Sequence, residues 1–537
     1  MPSPLSAPRP TSPPTRGERA ALRVLQLGAL ASVLLVVPYE PFELDRFFVP
    51  KEFVLHVTAA LAGLLTLGAA RRWRFARVDV LLAAFLVASA ASTVFAANGW
   101  LATRALAVSA SGVTVFWAAR GVGAAGLGRP LLHALALAVV LAAVTALVQA
   151  YGFRPALFSV ERAPGGTLGN RNFVGHFAAL GLPLLLLAAA GARRPKPFLV
   201  ALLGVALTAG ALVLTRSRAA WLGLVVVLAV VLVGVAILAV RHRRRRFALR
   251  FVLALLVGTA GVGAALTLPN ALRWTSDAPY LETAAGVANY REGSGRGRLL
   301  QYGTSLRMAL ADPVLGVGPG NWPVVYPAFA EPGNPAMDRS EAGRTANPWP
   351  SSDIVALLAE RGLVGFLLFA LAAGGLVLVA WRGLWRAPDV EAGTRALALC
   401  ALLAATATVG AFDAVLLLAW PTLLVAAAVG ALSPGGAPEV RVPGWARATA
   451  LLVLTLGAGA AAVQSARQTV AMALYTADET RAGLERAARL DPGNYRVQLR
   501  LAQRSRNDRE ARCHYAQAAR DLFPHAAEAA RLTRGCE

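Results

Sequence analysis

Apolar runs of about 17–25 residues recur along this chain, and a run of that length can cross a bilayer as a helix. Charged residues make up only 15% of the 537 residues, whereas soluble domains carry about 25%. The pattern therefore predicts an all-α integral membrane protein with about thirteen spans. They cover residues 23–39, 53–70, 78–96, 103–119, 130–151, 173–192, 198–215, 219–240, 247–268, 362–381, 394–411, 414–432 and 446–464.

Every second connection between these spans is rich in arginine and lysine. Basic connections stay on the cytoplasmic side of a membrane. The alternation predicts a cytoplasmic N-terminus and an external C-terminus, as for a multi-pass protein of the inner membrane. The basic connections are residues 71–77, 120–129, 193–196, 241–246, 382–395 and 441–447.

The same topology divides the chain into five parts. Residues 1–22 form a disordered cytoplasmic head, and residues 23–268 form the first nine spans. A large external loop then covers residues 269–361. Residues 362–464 hold the last four spans, and residues 465–537 form an external tail.

The tail has alanine and leucine at helical spacing among many charged residues. Its stretch ERAARLDPGNYRVQLRLAQ resembles a tetratricopeptide helical hairpin, and the turn at Pro492 is echoed by Pro524. This period predicts stacked helical hairpins, which could bind a protein partner. The alternative is an amphipathic tail that packs on the membrane domain.

The net charge and the cysteines do not indicate a nucleic-acid-binding or a metal-binding protein. The formal charge is +24, but the sequence has no basic, aromatic-interleaved soluble domain that would bind nucleic acid. The three cysteines lack the spacing of a metal site. Only Cys513 and Cys536 are candidates for a disulfide.

The stretch VLTRSRAAWLG places Arg216 and Arg218 between two apolar spans, on the predicted external side. Arginine there opposes the orientation signal, so another effect must favour it. Both side chains could simply reach lipid headgroups from a helix end. Alternatively they bind phosphate, because the guanidinium is a planar fork of donors that remains charged.

Further external arginines lie in two other segments. RAPGGTLGNRNFVGHF contributes Arg171 and also His176, and the long loop contributes Arg296 and Arg298. The stretch LLQYGTSLRMAL predicts an amphipathic helix with Arg298 in its first turn, ended by the Asp312–Pro313 step. The following GVGPG predicts a tight turn that brings backbone close to a ligand.

Four motifs occur in order on this topology, GTLGNRNFVGHFAALGLPLLLL, LTRSRAAWLG, RLLQYGTSLRMALADPVLGVGPGNW and SSDIVALLAERGLVGF. Together they resemble the bacterial O-antigen ligase/polymerase family over residues 30–432. The tail is similar to a tetratricopeptide extension found on a branch of that family. The resemblance implies a GT-C-like helical fold with a large periplasmic loop.

The resemblance also implies an activity. Family members transfer an oligosaccharide from undecaprenyl diphosphate to an acceptor hydroxyl on a lipid or a glycan, with inversion and without a metal or other cofactor. Arg218 and Arg298 match the family's diphosphate-binding arginines. Arg216, Arg171 and Arg296 are further candidates for the same patch.

The sequence departs from the family where a His-Asn pair is usual and the histidine is thought to act as general base. Ser351 and Ser352 stand there, and serine cannot be a base at neutral pH without an activator. Asp353 is the nearest substitute, with Glu360 and His176 as other candidates. Asp353 could instead be a helix cap, and Glu360 could pair with Arg361.

Two other functional classes remain open. A transporter or flippase of lipid-linked glycans would usually show repeated halves and midplane charges, which this sequence lacks. A catalytically inactive relative that acts as a scaffold for glycan assembly would retain the fold without the base.

Overall fold

The computed structural model describes residues 13–68, 72–243, 245–289, 291–339, 343–433 and 439–536. Within them, each of the thirteen predicted spans overlaps one helix. The first nine helices are α1 (Arg16–Leu34), α2 (Asp45–Gly63), α3 (Arg77–Val94), α4 (Gly99–Val122), α5 (Gly128–Ala150), α6 (Arg171–Gly191), α7 (Pro195–Leu214), α8 (Arg218–His242) and α9 (Arg245–Thr267).

The long loop forms three helices, and four more helices follow before the tail. The loop helices are α10 (Pro279–Ala285), α11 (Gly293–Ala311) and α12 (Trp322–Val325). The next four are α13 (Asp353–Trp385), α14 (Val390–Phe412), α15 (Ala419–Leu432) and α16 (Gly444–Ala477). The tail contains α17 (Arg481–Leu490), α18 (Tyr495–Arg504), α19 (Arg509–Leu522) and α20 (Ala527–Thr533).

Ten segments of the described chain are long and apolar enough to cross a membrane. One of them, Gly99–Ala150, contains two helices, α4 and α5, which are separated by a turn at Gly126 with a φ of 81°. Two predicted spans are not among these ten segments. They are α15, which has only 14 residues, and α1, which begins with a charged turn. The chain is thus an all-helical, polytopic membrane protein with a helix for every predicted span.

Two three-residue strands accompany the helices. β1 (Arg72–Arg74) pairs antiparallel with β2 (Glu439–Arg441), with Trp73 opposite Val440. The pair joins the connection after α2 to the one before α16. It therefore lies at the membrane end opposite to the long loop.

Helix α6 lies at the centre of the bundle, and 83% of the residues in its apolar stretch are buried. It packs against α5, α7, α8 and α14. Its start, Arg171, is on the same side of the bundle as the connection before α8, the long loop, the turn before α15 and the tail. We call this side the loop face.

The tail helices pack against one another in sequence order and dock on the loop face. Asn98 donates from Nδ2 to the Leu522 carbonyl at 3.1 Å, and Arg496 donates to the Pro41 carbonyl at 2.7 Å. The Arg344 guanidinium of the long loop lies over Tyr495 and Phe523, 4.5 and 4.9 Å from the ring centroids. A disulfide joins Cys513 to Cys536.

Helix α13 is broken at Gly362, where φ is 62° and ψ is −172°. The segment that follows α11 binds at this break. The Leu363 N–H donates to the Pro313 carbonyl at 2.8 Å, and the Gly318 N–H donates to the Glu360 carbonyl at 2.9 Å. The break thus anchors the long loop to the membrane domain.

Candidate functional site

Arg218 and Arg298 line the same pocket on the loop face. Arg218 is the first residue of α8, directly after a three-residue turn, and Arg298 lies near the start of α11. The pocket is small and partly open to solvent. Its other lining residues are Ala219, Leu222, Val287, Asn289, Gly295 and Phe412.

Both guanidiniums are half-buried. A Cβ atom added to Gly286 would lie 2.8 Å from Nη2 of Arg218, so the loop backbone closely covers that side chain. Within the described part of the chain, neither Arg218 nor Arg298 has a carboxylate partner or a hydrogen bond from its guanidinium. Two cations therefore face one small pocket with unused donors, an arrangement suited to an anion with several oxygens.

Arg216 and Arg171 form a second group beside this pocket. Both guanidiniums lie over the ring of Trp274, 4.8 and 5.0 Å from its centroid. Arg216 also donates from Nε to Thr283 Oγ1 at 2.9 Å, and its Nη2 is 4.0 Å from Glu282. The predicted single patch is thus divided, with Arg216 and Arg171 held by an aromatic ring outside the pocket lining.

Helix α11 begins earlier than the sequence predicts. It starts at Gly293, so Arg298 lies in its second turn rather than its first, and it ends before Asp312 as expected. Arg296 is exposed and does not line the pocket. The residues GSGRG form the start of the helix, although glycine has a low helix propensity.

His176 is buried on α6 near the pocket, only 2% exposed. Its Nε2 lies 3.3 Å from Ser217 Oγ and 3.6 Å from Asp413 Oδ2, while Nδ1 has no hydrogen-bond partner in the described part of the chain. Ser217 and Asp413 directly adjoin the pocket residues Arg218 and Phe412. Because the serine and the carboxylate face the same nitrogen, this is not the relay of a Ser-His-Asp triad, which uses both ring nitrogens.

Asp353 and Glu360 are both buried and bind backbone N–H groups. Asp353 accepts from Val415 at 3.0 Å and from Leu416 at 2.9 Å. Glu360 accepts from the Trp322 N–H at 3.2 Å, and Arg361 lies 3.6 Å from its other oxygen. Each carboxylate thus joins distant segments, and neither lines the pocket.

Ser351 and Ser352 are also engaged. The Ser351 N–H donates to Gln301 at 2.7 Å. Ser352 caps α13, since its hydroxyl accepts from the Val355 N–H at 3.3 Å. The helix cap predicted as an alternative for Asp353 is therefore provided by the residue before it.

The GVGPG turn has positive φ at Gly316, Gly318 and Gly320, as its composition predicts. Its backbone approaches other helices rather than the pocket. A side chain at Gly316 would collide with the backbone of residues 359–362, and one at Gly318 would collide with Ala96. The turn therefore packs the loop onto α13 and α3.

Several residues near the site carried no recognisable signal in the sequence. Asn289 and Phe412 line the pocket, and Trp274 holds two arginines. Single residues of these types in loops or at helix ends are common. Only the three-dimensional arrangement shows their role.

Residues 203–370 match the family model described as O-antigen ligase. The resemblance to the O-antigen ligase family is thereby confirmed. The match supports glycan ligation as the general activity, and it includes Arg218, Arg298 and Asp353. Arg171 and His176 lie outside the O-antigen ligase match. No curated protein is significantly similar to the chain.

Proposed function

We propose that this protein transfers an oligosaccharide from an undecaprenyl-diphosphate-linked donor to a hydroxyl of a lipid or glycan acceptor. Arg218 and Arg298 bind the donor diphosphate. The observation that carries the proposal is that these two arginines, from separate segments, line one pocket and have no acidic partner among the residues that the structure describes. The O-antigen ligase match over residues 203–370 supports the same chemistry.

The pocket chemistry suits this transfer. Negative charge builds on the diphosphate as the glycosidic bond breaks, so fixed cations stabilise the transition state more than the ground state. Guanidiniums suit this task because they remain charged and pair with two oxygens at once. Arg216 and Arg171 add positive potential beside the pocket, which attracts the anionic donor.

We also propose that the loop face is periplasmic and that the protein lies in the inner membrane. The alternation of basic connections favours this orientation. The Cys513–Cys536 disulfide of the tail supports it, because disulfides persist in oxidising compartments. A periplasmic loop face places the pocket where lipid-linked glycans meet their acceptors.

His176 is the strongest of the three candidate bases. Asp353 and Glu360 already accept backbone hydrogen bonds, whereas Nδ1 of His176 has no hydrogen-bond partner among the described residues. Asp413 near Nε2 would stabilise the imidazolium that forms when the acceptor hydroxyl loses its proton. Because Nδ1 is buried and His176 does not line the pocket, neighbouring side chains must move before an acceptor reaches this nitrogen.

A catalytically inactive relative that acts as a scaffold is the second candidate. The observation in its favour concerns Ser351 and Ser352, which stand at the family's base position. The Ser351 N–H donates to Gln301, and the Ser352 hydroxyl caps α13. A scaffold would need the fold but not the arginines. Arginine variants therefore separate the two candidates.

The test is a deletion strain complemented with plasmid-borne variants and analysed by silver-stained lipopolysaccharide and exopolysaccharide gels. Arg218→Ala and Arg298→Ala should each lower transfer by about a hundredfold, the usual loss when one transition-state contact is removed. Arg296→Ala is the matched control, since it removes an exposed arginine from the same helix as Arg298. Membrane levels of each variant are measured by immunoblot.

Two results would contradict the proposal. Wild-type glycans in the deletion strain would argue against any glycan transfer. Full complementation by both arginine variants would favour the scaffold instead.

A further inference from the structure

One strip of the exposed face of α11, the leucine face, is apolar, and it lies beside the exposed Arg307, which pairs with Glu331. Leu299, Leu306 and Leu310 are 51%, 50% and 69% exposed, and their spacing of seven and four residues places them on one side of the helix. Gly303 lies between them on the same side. A row of exposed leucines is unusual for a surface helix in water.

The buried face of the same helix is mixed: Met308 and Ala309 lie in the apolar core of the loop, beside three polar side chains. Gln301, Thr304 and Ser305 are at most 4% exposed. Ser305 Oγ accepts from the Trp322 indole N–H at 2.8 Å, and Gln301 accepts from the Ser351 N–H at 2.7 Å. The helix is thus held to the rest of the loop by both apolar contacts and hydrogen bonds, and the exposed leucines take no part in that packing.

Helix α11 lies level with the loop-face ends of the membrane helices. The Tyr302 hydroxyl is 3.0 Å from the carbonyl of Ala411, near the end of α14. Arg298 shares its pocket with Ala219, in the first turn of α8. At its other end, Pro313 binds the break in α13. The helix therefore lies across the helix ends at the boundary of the bilayer.

The leucine face continues into the outer surface of the membrane domain. Val314, just after α11, is 60% exposed, and Ile354 at the start of α13 is 47% exposed. Beyond the break, Leu363 and Leu367 are 50% and 47% exposed on the membrane-spanning part of α13. Helices α11 and α13 are in direct contact.

We propose that α11 is an interfacial helix whose leucine face is immersed in the lipid bilayer. Lipid is the occupant that fits, because the face is apolar, level with the helix ends and continuous with a membrane-spanning surface. Exposed Arg291 and Arg296 near its N-terminus suit the phosphates of lipid headgroups. One wall of the Arg218–Arg298 pocket is then bordered by lipid.

The test uses full-length protein with a fluorescent label on single cysteines in proteoliposomes. Cys400→Ala removes the free thiol and leaves the disulfide intact. Leu306→Cys and Leu310→Cys are labelled with nitrobenzoxadiazole iodoacetamide and reconstituted with phosphatidylethanolamine and phosphatidylglycerol. Quenching is measured with a lipid that carries a nitroxide high on its acyl chain, and separately with aqueous iodide.

Matched controls define the two extremes. Leu367→Cys reports a lipid-facing site on α13, and Gln517→Cys reports an exposed site on tail helix α19. Both α11 positions should lose fluorescence to the nitroxide lipid as strongly as residue 367, and should resist iodide. Leu299→Cys replaces either variant that fails to reconstitute.

Three outcomes would overturn the proposal. The α11 labels could behave like residue 517, quenched by iodide alone, which would place the face in water. They could resist both quenchers, which would mean that protein covers the face. Nitroxide quenching at residue 517 equal to that on α11 would show that the signal does not report immersion. The outcome is independent of glycan transfer, since no step of the assay uses a glycan.

Discussion

Replacement of Asp353 distinguishes a structural carboxylate from a catalytic base. Its two oxygens accept the N–H groups of Val415 and Leu416 at 3.0 and 2.9 Å, and the side chain is buried. These bonds hold the turn before α15 against the start of α13. We therefore expect Asp353→Ala to lower stability, while the protein that does fold keeps its transfer activity.

The magnitude follows from the two donors that would lose their acceptors. A buried N–H without a partner costs about 1–3 kcal/mol, so Asp353→Ala should cost about 2–6 kcal/mol. Asp353→Asn keeps one acceptor oxygen but turns an NH₂ group toward an N–H donor. At least one of the two bonds is lost, and the expected cost is about 1–3 kcal/mol.

The assay compares thermal survival with activity per folded molecule. Purified protein in detergent is heated and the folded fraction is followed by size-exclusion chromatography, since unfolding of such proteins is a matter of rate. Both Asp353 variants should survive for a shorter time than the wild type. Asp277→Asn, which changes an exposed loop carboxylate, should match the wild type.

The reasoning is refuted by the opposite pattern. If Asp353→Asn survives heating like the wild type but transfers no glycan, the carboxylate acts in the chemistry. His176 would then lose its rank as the first candidate base.

Three further predictions concern the break in α13 and the docked tail. Gly362→Ala should prevent folding, because φ there is 62° and the added Cβ meets the Val314 carbonyl. The control is Gly374→Ala in the same helix, where an added Cβ has no neighbour within 4 Å. This control should give the wild-type yield of folded protein on size-exclusion chromatography. Arg344→Ala removes two ring contacts worth about 0.5–2 kcal/mol each, so trypsin should cleave the tail faster than in Arg509→Ala, which changes an exposed tail arginine. Burial raises the pKa of Asp491 above its usual 3.8. The folded tail therefore binds the proton more tightly than the unfolded tail does. The free energy of unfolding of the tail should fall as the pH rises from 3.8 through the raised pKa. Hydrogen exchange of α17 and α18 should show this pH dependence, and Asp491→Asn should abolish it.

The membrane helices were predictable because the bilayer sets both their length and their composition. Even the turn between α4 and α5 followed from the basic residues around it, and Gly126 provides the necessary φ of 81°. The end of α11 followed from Asp312–Pro313, since the residue before proline avoids the helical region. These features depend on neighbours in sequence.

The site was predictable only in part. The family motifs singled out Arg218 and Arg298, which the structure brings to one pocket. The amphipathic pattern of α11 indicated a helix but did not show which face would be buried, because that depends on what surrounds it. The partners of Asp353 lie about sixty residues away on another turn, and no local pattern reports such a contact.

The backbone of Arg216 has a consequence for engineering. It adopts a φ of 53°, which costs a residue other than glycine roughly 1–2 kcal/mol. Glycine would relieve this cost, but it would also remove the hydrogen bond to Thr283 and the cation over Trp274. Those contacts are worth about as much as the backbone cost, so a screen for heat-tolerant variants should not select Arg216→Gly. The side chain thus compensates for its own backbone, and the positive charge beside the pocket is retained without a loss of stability.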